Sequence, residues 1–163
     1  MKSIIATAII ICSCTLSVNA QKGMDSFSQL LASYFDIKDA LVKTDGAAAA
    51  QKAGEFLKVI NNIDRSALSE ADHKTFMAVN EKLVSDAGHI AESRSISQQR
   101  DYFKTFSDMF SALAKAVKLS DKPVYQQYCP MKKAYWLSRE TAIKNPYYGK
   151  AMLTCGKVSE IMQ

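Results

Sequence analysis

Four sulfur-bearing side chains lie in the last quarter of the chain, at spacings that would let them act together. Cys129 and Met131 flank Pro130, whose fixed φ angle lets one short, rigid segment present both side chains. Met152 and Cys155 are three residues apart, a spacing that places two side chains on one face of a helical segment. Two thiolates and two thioethers form a soft ligand set that suits Cu(I) far better than Ca²⁺ or Mg²⁺. These four residues are therefore the candidate metal ligands.

The same two cysteines also suit a disulfide. Cys129 and Cys155 would close a loop of roughly 25 residues and contribute about 3 kcal/mol in the chain-entropy model. Disulfides persist in oxidising compartments. Spacing alone leaves metal binding, a structural disulfide and a catalytic thiol open.

The segment from Tyr125 to Gly156 differs in composition from the rest of the chain. It contains the only Trp, five of the seven Tyr and two of the three Pro. The turn-forming run from Asn145 to Gly149 lies within it. We expect an irregular tail, residues 122–163, which Trp136, Tyr147 and Tyr148 anchor through buried ring area.

Upstream of the tail, apolar residues recur at three- and four-residue steps, which predicts amphipathic helices. Asp45 and the box-like pairs that start at Ser69 and Ser95 are candidate N-caps. All seven Phe lie in this part of the chain. The predicted fold is an all-α protein, an antiparallel four-helix bundle with an irregular C-terminal segment packed on it. The predicted helices span residues 25–43, residues 47–62, a segment from about Ser69 to Ile90, and one from Ser95 or Ser97 to about Val117.

The first 20 residues resemble an export signal. Lys2 supplies a positive charge, an apolar run follows, and small residues precede a cleavage site after Ala20. Lipid attachment at Cys14 is a weaker alternative, because Cys12 does not fit the pattern expected before a lipidated cysteine. We therefore expect a periplasmic or secreted protein of one domain, residues 21–163, with a helical body over residues 21–121 and no transmembrane segment after cleavage.

The positive charge is concentrated in the tail. Residues 122–163 contain seven basic and two acidic residues, whereas residues 21–121 contain 13 basic and 14 acidic. The basic residues are scattered and no nucleic-acid-binding motif is present, so a solvated surface explains the charge better than nucleic acid binding.

Four lysines lie close in sequence to the cysteines. They are Lys132, Lys133, Lys150 and Lys157. Because nearby cations favour thiolate, we expect them to lower the pKa of the thiols and to promote metal binding.

Catalytic signatures are missing from the sequence. It contains no Cys-x-x-Cys, no His-Glu-x-x-His and no glycine-rich phosphate loop. His73 and His89 are too far apart on one helix to share a metal ion, and each is expected at the surface or at a helix end. Arg100 and Asp45 are expected to form a polar pair or a cap. We therefore expect a protein that is not an enzyme.

Five motifs resemble those of a family of secreted bacterial domains of unknown function. They are Y-C-P-M at Tyr128 to Met131, W-L-S at Trp136 to Ser138, I-K-N-P-Y-Y-G-K-A-M-L-T-C-G at Ile143 to Gly156, K-D-A-L-V-K-T-D at Lys38 to Asp45, and R-x-x-F-x-x-F-S at Arg100 to Ser107.

The resemblance implies a role in copper handling. Members of that family occur alone or fused to periplasmic adaptor subunits of heavy-metal efflux systems, which would be the partners. The Cys-Pro-Met and Cys-Gly pieces are also similar to small heavy-metal-binding domains. Those domains have a His where this chain has Lys132, and a second Cys near the last one. The expected function is periplasmic Cu(I) binding by Cys129, Met131, Met152 and Cys155, and the alternative is a disulfide-stapled, non-enzymatic interaction module.

Overall fold

Four helices are followed by a three-stranded sheet. The computed structural model describes the backbone of residues 15–162 and the side chains of residues 25–162. The helices are α1 (Thr15–Lys43), α2 (Gly46–Asn61), α3 (Glu70–Glu92) and α4 (Ile96–Ala116). The strands are β1 (Val124–Cys129), β2 (Ala134–Ser138) and β3 (Lys157–Met162), and short 3₁₀ turns span Arg65–Ala67 and Gly149–Ala151.

The predicted N-caps are confirmed. The side chains of Asp45, Ser69 and Ser95 each accept a hydrogen bond from the backbone N–H three residues later, at 2.9, 3.1 and 3.5 Å. Such bonds satisfy amides that have no partner within the helix. These three polar residues therefore fix where α2, α3 and α4 begin.

The predicted aromatic core is also confirmed. All seven Phe side chains are buried among the four helices. Tyr34 of α1 is fully buried and stacks on Phe106 and Phe110 of α4, with ring centroids 5.7 and 4.5 Å apart. Phe56 of α2 meets the same two rings edge-on. The helices are thus held together by ring packing, as their periodicity predicted.

The prediction of four packed helices is confirmed, but the tail contains a three-stranded sheet, so the protein is not purely α-helical and the tail is not wholly irregular. The strand order is β2-β1-β3, and β1 pairs antiparallel with both neighbours. A hairpin whose turn places Lys133 at φ +52° joins β1 to β2. The strands contain Val, Tyr and Trp residues that suit a pleated, half-buried surface. The fold is mostly helical, with a small antiparallel sheet in its C-terminal part.

Two tyrosine hydroxyls attach the outer edge of β2 to the rest of the protein. The backbone N–H of Leu137 donates to the Tyr34 hydroxyl at 3.0 Å, and that hydroxyl also lies 2.6 Å from the Ser107 hydroxyl. The Tyr147 hydroxyl donates to the carbonyl of Tyr135. Because an unpaired strand edge leaves backbone groups without partners, these contacts complete the edge that faces the helices.

Arg100 ties the tail to the end of α1. Its guanidinium donates to the carbonyls of Leu41 and Pro146 at 3.1 and 2.9 Å and to the Thr44 hydroxyl at 3.1 Å. A cation at this place complements the negative end of the helix dipole. The Arg100 side chain forms these bonds and not the expected polar pair with Asp45. The cap role expected of Asp45 is confirmed.

The predicted export signal falls mostly outside the described residues. Lys2, Cys12 and Cys14 belong to the residues that the structure does not describe. Helix α1 begins at Thr15, well before the predicted start near Asp25. Export and cleavage after Ala20 stay predictions. Over the described part of the chain, no helix has the length and apolar character needed to cross a membrane.

Candidate functional site: a close thiol pair

Cys129 is the last residue of the central strand. Its side chain is fully buried, and its partner across the β1–β2 ladder is Ala134. Pro130 follows at once and cannot donate a ladder hydrogen bond, so the strand ends there and the hairpin begins. The sequence thus places the first sulfur at the rim of the sheet, where a loop can approach it.

Cys155 reaches the same rim through the pairing of β3 with β1. Lys157, the first residue of β3, pairs with Tyr128, the neighbour of Cys129. The residues just before β3 must therefore lie beside the end of β1. The Sγ atoms of Cys129 and Cys155 are 3.8 Å apart. The sheet thus brings together the two cysteines that the sequence had predicted to act together.

The 3.8 Å separation of the sulfurs is informative. It is well beyond the S–S bond length of about 2.05 Å in a disulfide. Two thiolates that bind one tetrahedral ion with bonds of about 2.3 Å are separated by roughly 3.8 Å. The pair therefore has the spacing of two adjacent metal ligands, and a modest movement would let the sulfurs bond to each other.

Two successive residues of the hairpin turn have backbone groups close to the two sulfurs. The N–H of Lys132 donates to Cys129 Sγ at 3.4 Å, and the backbone of Met131 lies near enough to Cys155 Sγ to lower the pKa of that thiol. Such bonds stabilise negative charge on sulfur, as in protein metal–thiolate centres. The hairpin turn after Pro130 thus serves both thiols.

The expectation that lysines lower the thiol pKa is wrong for Cys155. Burial raises the pKa of the Cys155 thiol, the adjacent Cys129 sulfur raises it further, and the Met131 amide lowers it. Lys132 instead forms an ion pair with Asp101, at 2.7 Å. Removal of the sulfur from water is the largest cause, ahead of the contact with the Cys129 sulfur. The neutral form of the Cys155 thiol is therefore favoured until its proton is displaced.

Asn145 holds the Cys155 loop in place. It is fully buried, its side-chain NH₂ donates to the carbonyl of Cys155 at 2.6 Å, and its carbonyl oxygen accepts from the N–H groups of Tyr147 and Tyr148. The turn was predictable from the sequence, but this role of Asn145 was not predicted. The available signal was the residue type, because an Asn side chain bonds the backbone two residues later.

Gly156 is the second residue whose importance the sequence analysis missed. Its φ is +153°, and a Cβ atom there would lie 2.7 Å from the Trp136 ring and 3.0 Å from the carbonyl oxygen of Tyr128. Only glycine fits so close an approach without displacement. The Cys-Gly pair thus lets the chain pass against the buried tryptophan, whose predicted anchoring role is confirmed along with that of Tyr147.

The two candidate thioether ligands lie at the surface of the loops that carry the cysteines. Met131 is 65% exposed and Met152 is 38% exposed. Lys133, Lys150 and Lys157 are also exposed in this part of the chain. The loops that carry the two thiols therefore present soft, flexible side chains to solvent.

The remaining candidates lie elsewhere. His73 and His89 are exposed on α3, and His89 stacks on Tyr102, which confirms their surface placement. Among the described residues, no group of three or more His, Cys, Asp or Glu side chains could hold a metal ion. Any ion at the thiol pair would need Met or a partner molecule for further ligands.

The fold and the site define a mostly helical protein whose small C-terminal sheet carries a close pair of thiols. The chain belongs to a protein family of unknown function, DUF3347, whose model matches residues 30–122. The match begins within α1, includes α2, α3 and α4, and ends before β1. No curated protein matches the chain, and no solved structure does so either.

Proposed function

We propose that the protein binds a soft metal ion, Cu(I), through the thiolates of Cys129 and Cys155, and that it has no catalytic role. The observation that carries the proposal is the 3.8 Å separation of the two sulfurs, with the backbone N–H of Lys132 directed at Cys129 Sγ. Soft sulfur ligands select Cu(I) over hard cations. Cu(I) also accepts low coordination numbers, which suits a site with only two thiols.

Met131 and Met152 complete the proposed ligand set. Both are exposed, in the loops that carry the two cysteines, and a Met side chain is flexible enough to close over an ion. In this proposal the exposed thioethers meet the incoming Cu(I) first, and the less exposed thiolates hold it. Cu(I) binding displaces the protons of the thiols. The free energy of the metal–sulfur bonds offsets the cost of deprotonating Cys155, whose pKa is raised.

A Cu(I) titration tests the proposal. The exported form, Gln21 to Gln163, would be reduced and titrated anaerobically against a chromophoric chelator. We expect one-to-one uptake, loss of uptake in a Cys129→Ser, Cys155→Ser double variant, and weaker binding in Met131→Leu and Met152→Leu. Met77→Leu is the matched control, because Met77 is 42% exposed on α3. No uptake by the folded, reduced protein would overturn the proposal.

We also propose export to the periplasm or beyond, with removal of residues 1–20 as a signal. The mass of the protein recovered from the cell envelope tests this. A mass that begins at Gln21 supports cleavage after Ala20, whereas a lipid-modified N-terminus at Cys14 would support the anchored alternative.

The proposed partner is a periplasmic adaptor of a heavy-metal efflux system, which follows from the family resemblance. The exposed Lys133, Lys150 and Lys157 would fit an acidic docking surface. We expect Cu(I) transfer to such an adaptor to slow as ionic strength rises, and to slow further when the three lysines are changed to Glu. If the transfer rate changes neither with ionic strength nor with the lysine replacements, these lysines do not form the docking surface.

The alternative is a disulfide-stapled interaction module. It is favoured by the proximity of the sulfurs and by the exposed apolar side chains of Met131 and Leu153. A protein isolated with an oxidised cysteine pair, whose partner binding ignores the Met131→Leu and Met152→Leu changes, would support this alternative.

A further inference from the structure

The two thiols differ sharply in access to solvent. Cys129 is fully buried at the end of β1, whereas Cys155 is only half-buried in the loop before β3. The residues just before Cys155, from Met152 to Thr154, are exposed. A disulfide in solution can therefore reach Cys155 Sγ before it can reach Cys129 Sγ.

The buried thiol is placed to complete an exchange reaction. Thiol–disulfide exchange needs a second sulfur close to the sulfur of the mixed disulfide. Cys129 Sγ lies 3.8 Å from Cys155 Sγ, so the sulfurs must approach by roughly 1.8 Å to reach bonding distance. Asn145 holds the backbone of Cys155, so rotation of the Cys155 side chain must supply this movement.

A backbone amide stabilises the attacking sulfur during such an exchange. The N–H of Lys132 donates to Cys129 Sγ at 3.4 Å, and a hydrogen bond of this kind stabilises negative charge that develops on sulfur. The hairpin turn therefore assists the attack of Cys129 on the mixed disulfide.

We propose that Cys155 is a site of reversible thiolation by small-molecule disulfides and that Cys129 resolves the adduct into an internal disulfide. The Cys155 thiolate attacks one sulfur of the incoming disulfide, forms an S–S bond and releases one thiol. Cys129 then attacks Cys155 Sγ, and the second thiol leaves. Both protein thiols are oxidised, the disulfide is reduced to two thiols, and the two protein protons go to those thiols.

The exchange stands without any metal. Its consequence for Cu(I) rests on the proposed function: because the same two sulfurs would bind the ion, the oxidised pair cannot hold it. Oxidation would then release the metal, and reduction would restore the site. The two thiols would thus couple metal binding to the redox state of the surroundings.

Oxidised glutathione is the probe for the test. The exported form, which lacks Cys12 and Cys14, is reduced, freed of metal and incubated with oxidised glutathione, and the products are identified by intact mass after acid quenching. We expect the unaltered protein to lose two hydrogens without retaining glutathione. Cys129→Ser should keep one glutathione on Cys155. Cys155→Ser should react at least about tenfold more slowly, because its remaining thiol is buried.

Two controls keep the outcome interpretable. Cys129→Ala and Cys155→Ala repeat the comparison with an apolar residue, in case Ser perturbs the fold. After denaturation, the variants that keep only one of the two thiols should all react at the same rate, because unfolding exposes the remaining thiol. Circular dichroism confirms that each native sample is folded.

Three results would overturn the inference. They are an unaltered protein that stays reduced, one that stops at the glutathione adduct, and a folded Cys155→Ser variant that reacts as fast as Cys129→Ser. A protein that undergoes thiol–disulfide exchange but takes up no Cu(I) would refute only the proposed metal site. A protein that binds Cu(I) but does not undergo the exchange would refute only this inference.

Discussion

The Asn145 side chain offers the sharpest test of how the site is built. Asn145→Ala removes the donor to the Cys155 carbonyl and the acceptor for the N–H groups of Tyr147 and Tyr148. A buried polar group left without a partner costs about 1–3 kcal/mol. Tyr147 is almost fully buried, whereas Tyr148 and Cys155 are half-buried and can recover a bond from water. We therefore expect a loss of about 2–4 kcal/mol in the free energy of unfolding.

Urea unfolding of the reduced protein, followed by far-UV circular dichroism, measures this loss. Asn61→Ala is the matched control, because Asn61 is exposed at the end of α2 and its change should stay within about 0.5 kcal/mol. If Asn145→Ala also stays within that range, the reasoning about the Cys155 loop is wrong.

Asn145→Asp separates the two halves of the role. A carboxylate still accepts from the amides of Tyr147 and Tyr148 but cannot donate to the Cys155 carbonyl. Once protonated, the carboxyl regains a donor. The folded form therefore binds this proton more tightly than the unfolded form, and stability should rise as pH falls. If the stability of this variant relative to the unaltered protein does not change with pH, the hydrogen bond from residue 145 to the Cys155 carbonyl contributes little.

Three further changes probe the rest of the framework. Tyr34→Phe leaves the buried N–H of Leu137 without its partner and should lower the free energy of unfolding by about 1–3 kcal/mol in urea; a neutral effect would contradict this. Gly149→Ala, at φ +52° with a Cβ 2.3 Å from the Thr44 hydroxyl, should cost at least about 1–3 kcal/mol, and an unchanged Tm would refute the close packing. Burial raises the pKa of Asp108, so the folded protein holds that proton more tightly and loses stability as pH rises through the raised pKa. Asp108→Asn should therefore raise Tm at neutral pH but not below the pKa of the unfolded carboxyl, and a gain that persists in acid would point to another cause.

The helices could be predicted because their signals are local. A cap such as Ser69 acts on an amide three residues away, and the apolar periodicity of α4 reports its own buried face. The sheet could not be predicted in this way. Strand β1 contains Gln126 and Gln127, both buried, and these polar residues hide the apolar alternation that marks a half-buried strand.

The pairing of the two candidate cysteines was predictable from the sequence, whereas their electrostatics was not. Cys129 and Cys155 could be paired from their chemistry alone, although their contact depends on the register of β3 on β1, which joins residues far apart in sequence. The prediction that nearby lysines lower the pKa of the thiols was wrong for Cys155, because closeness in sequence does not determine where a charged group points. Lys132 pairs with Asp101 of α4, and the burial of the Cys155 sulfur has the larger effect on its pKa.

The helices and the sheet depend on each other, even though the family match ends at residue 122. Tyr34 and Arg100 lie in the matched part, and their polar groups bond to backbone groups of the tail. Phe103 packs on Tyr147, with ring centroids 5.9 Å apart. Without the tail, these groups would lose hydrogen-bond partners and expose aromatic surface. The helical part therefore provides the framework that aligns β2, and through the ladder it positions the two sulfurs at the end of β1.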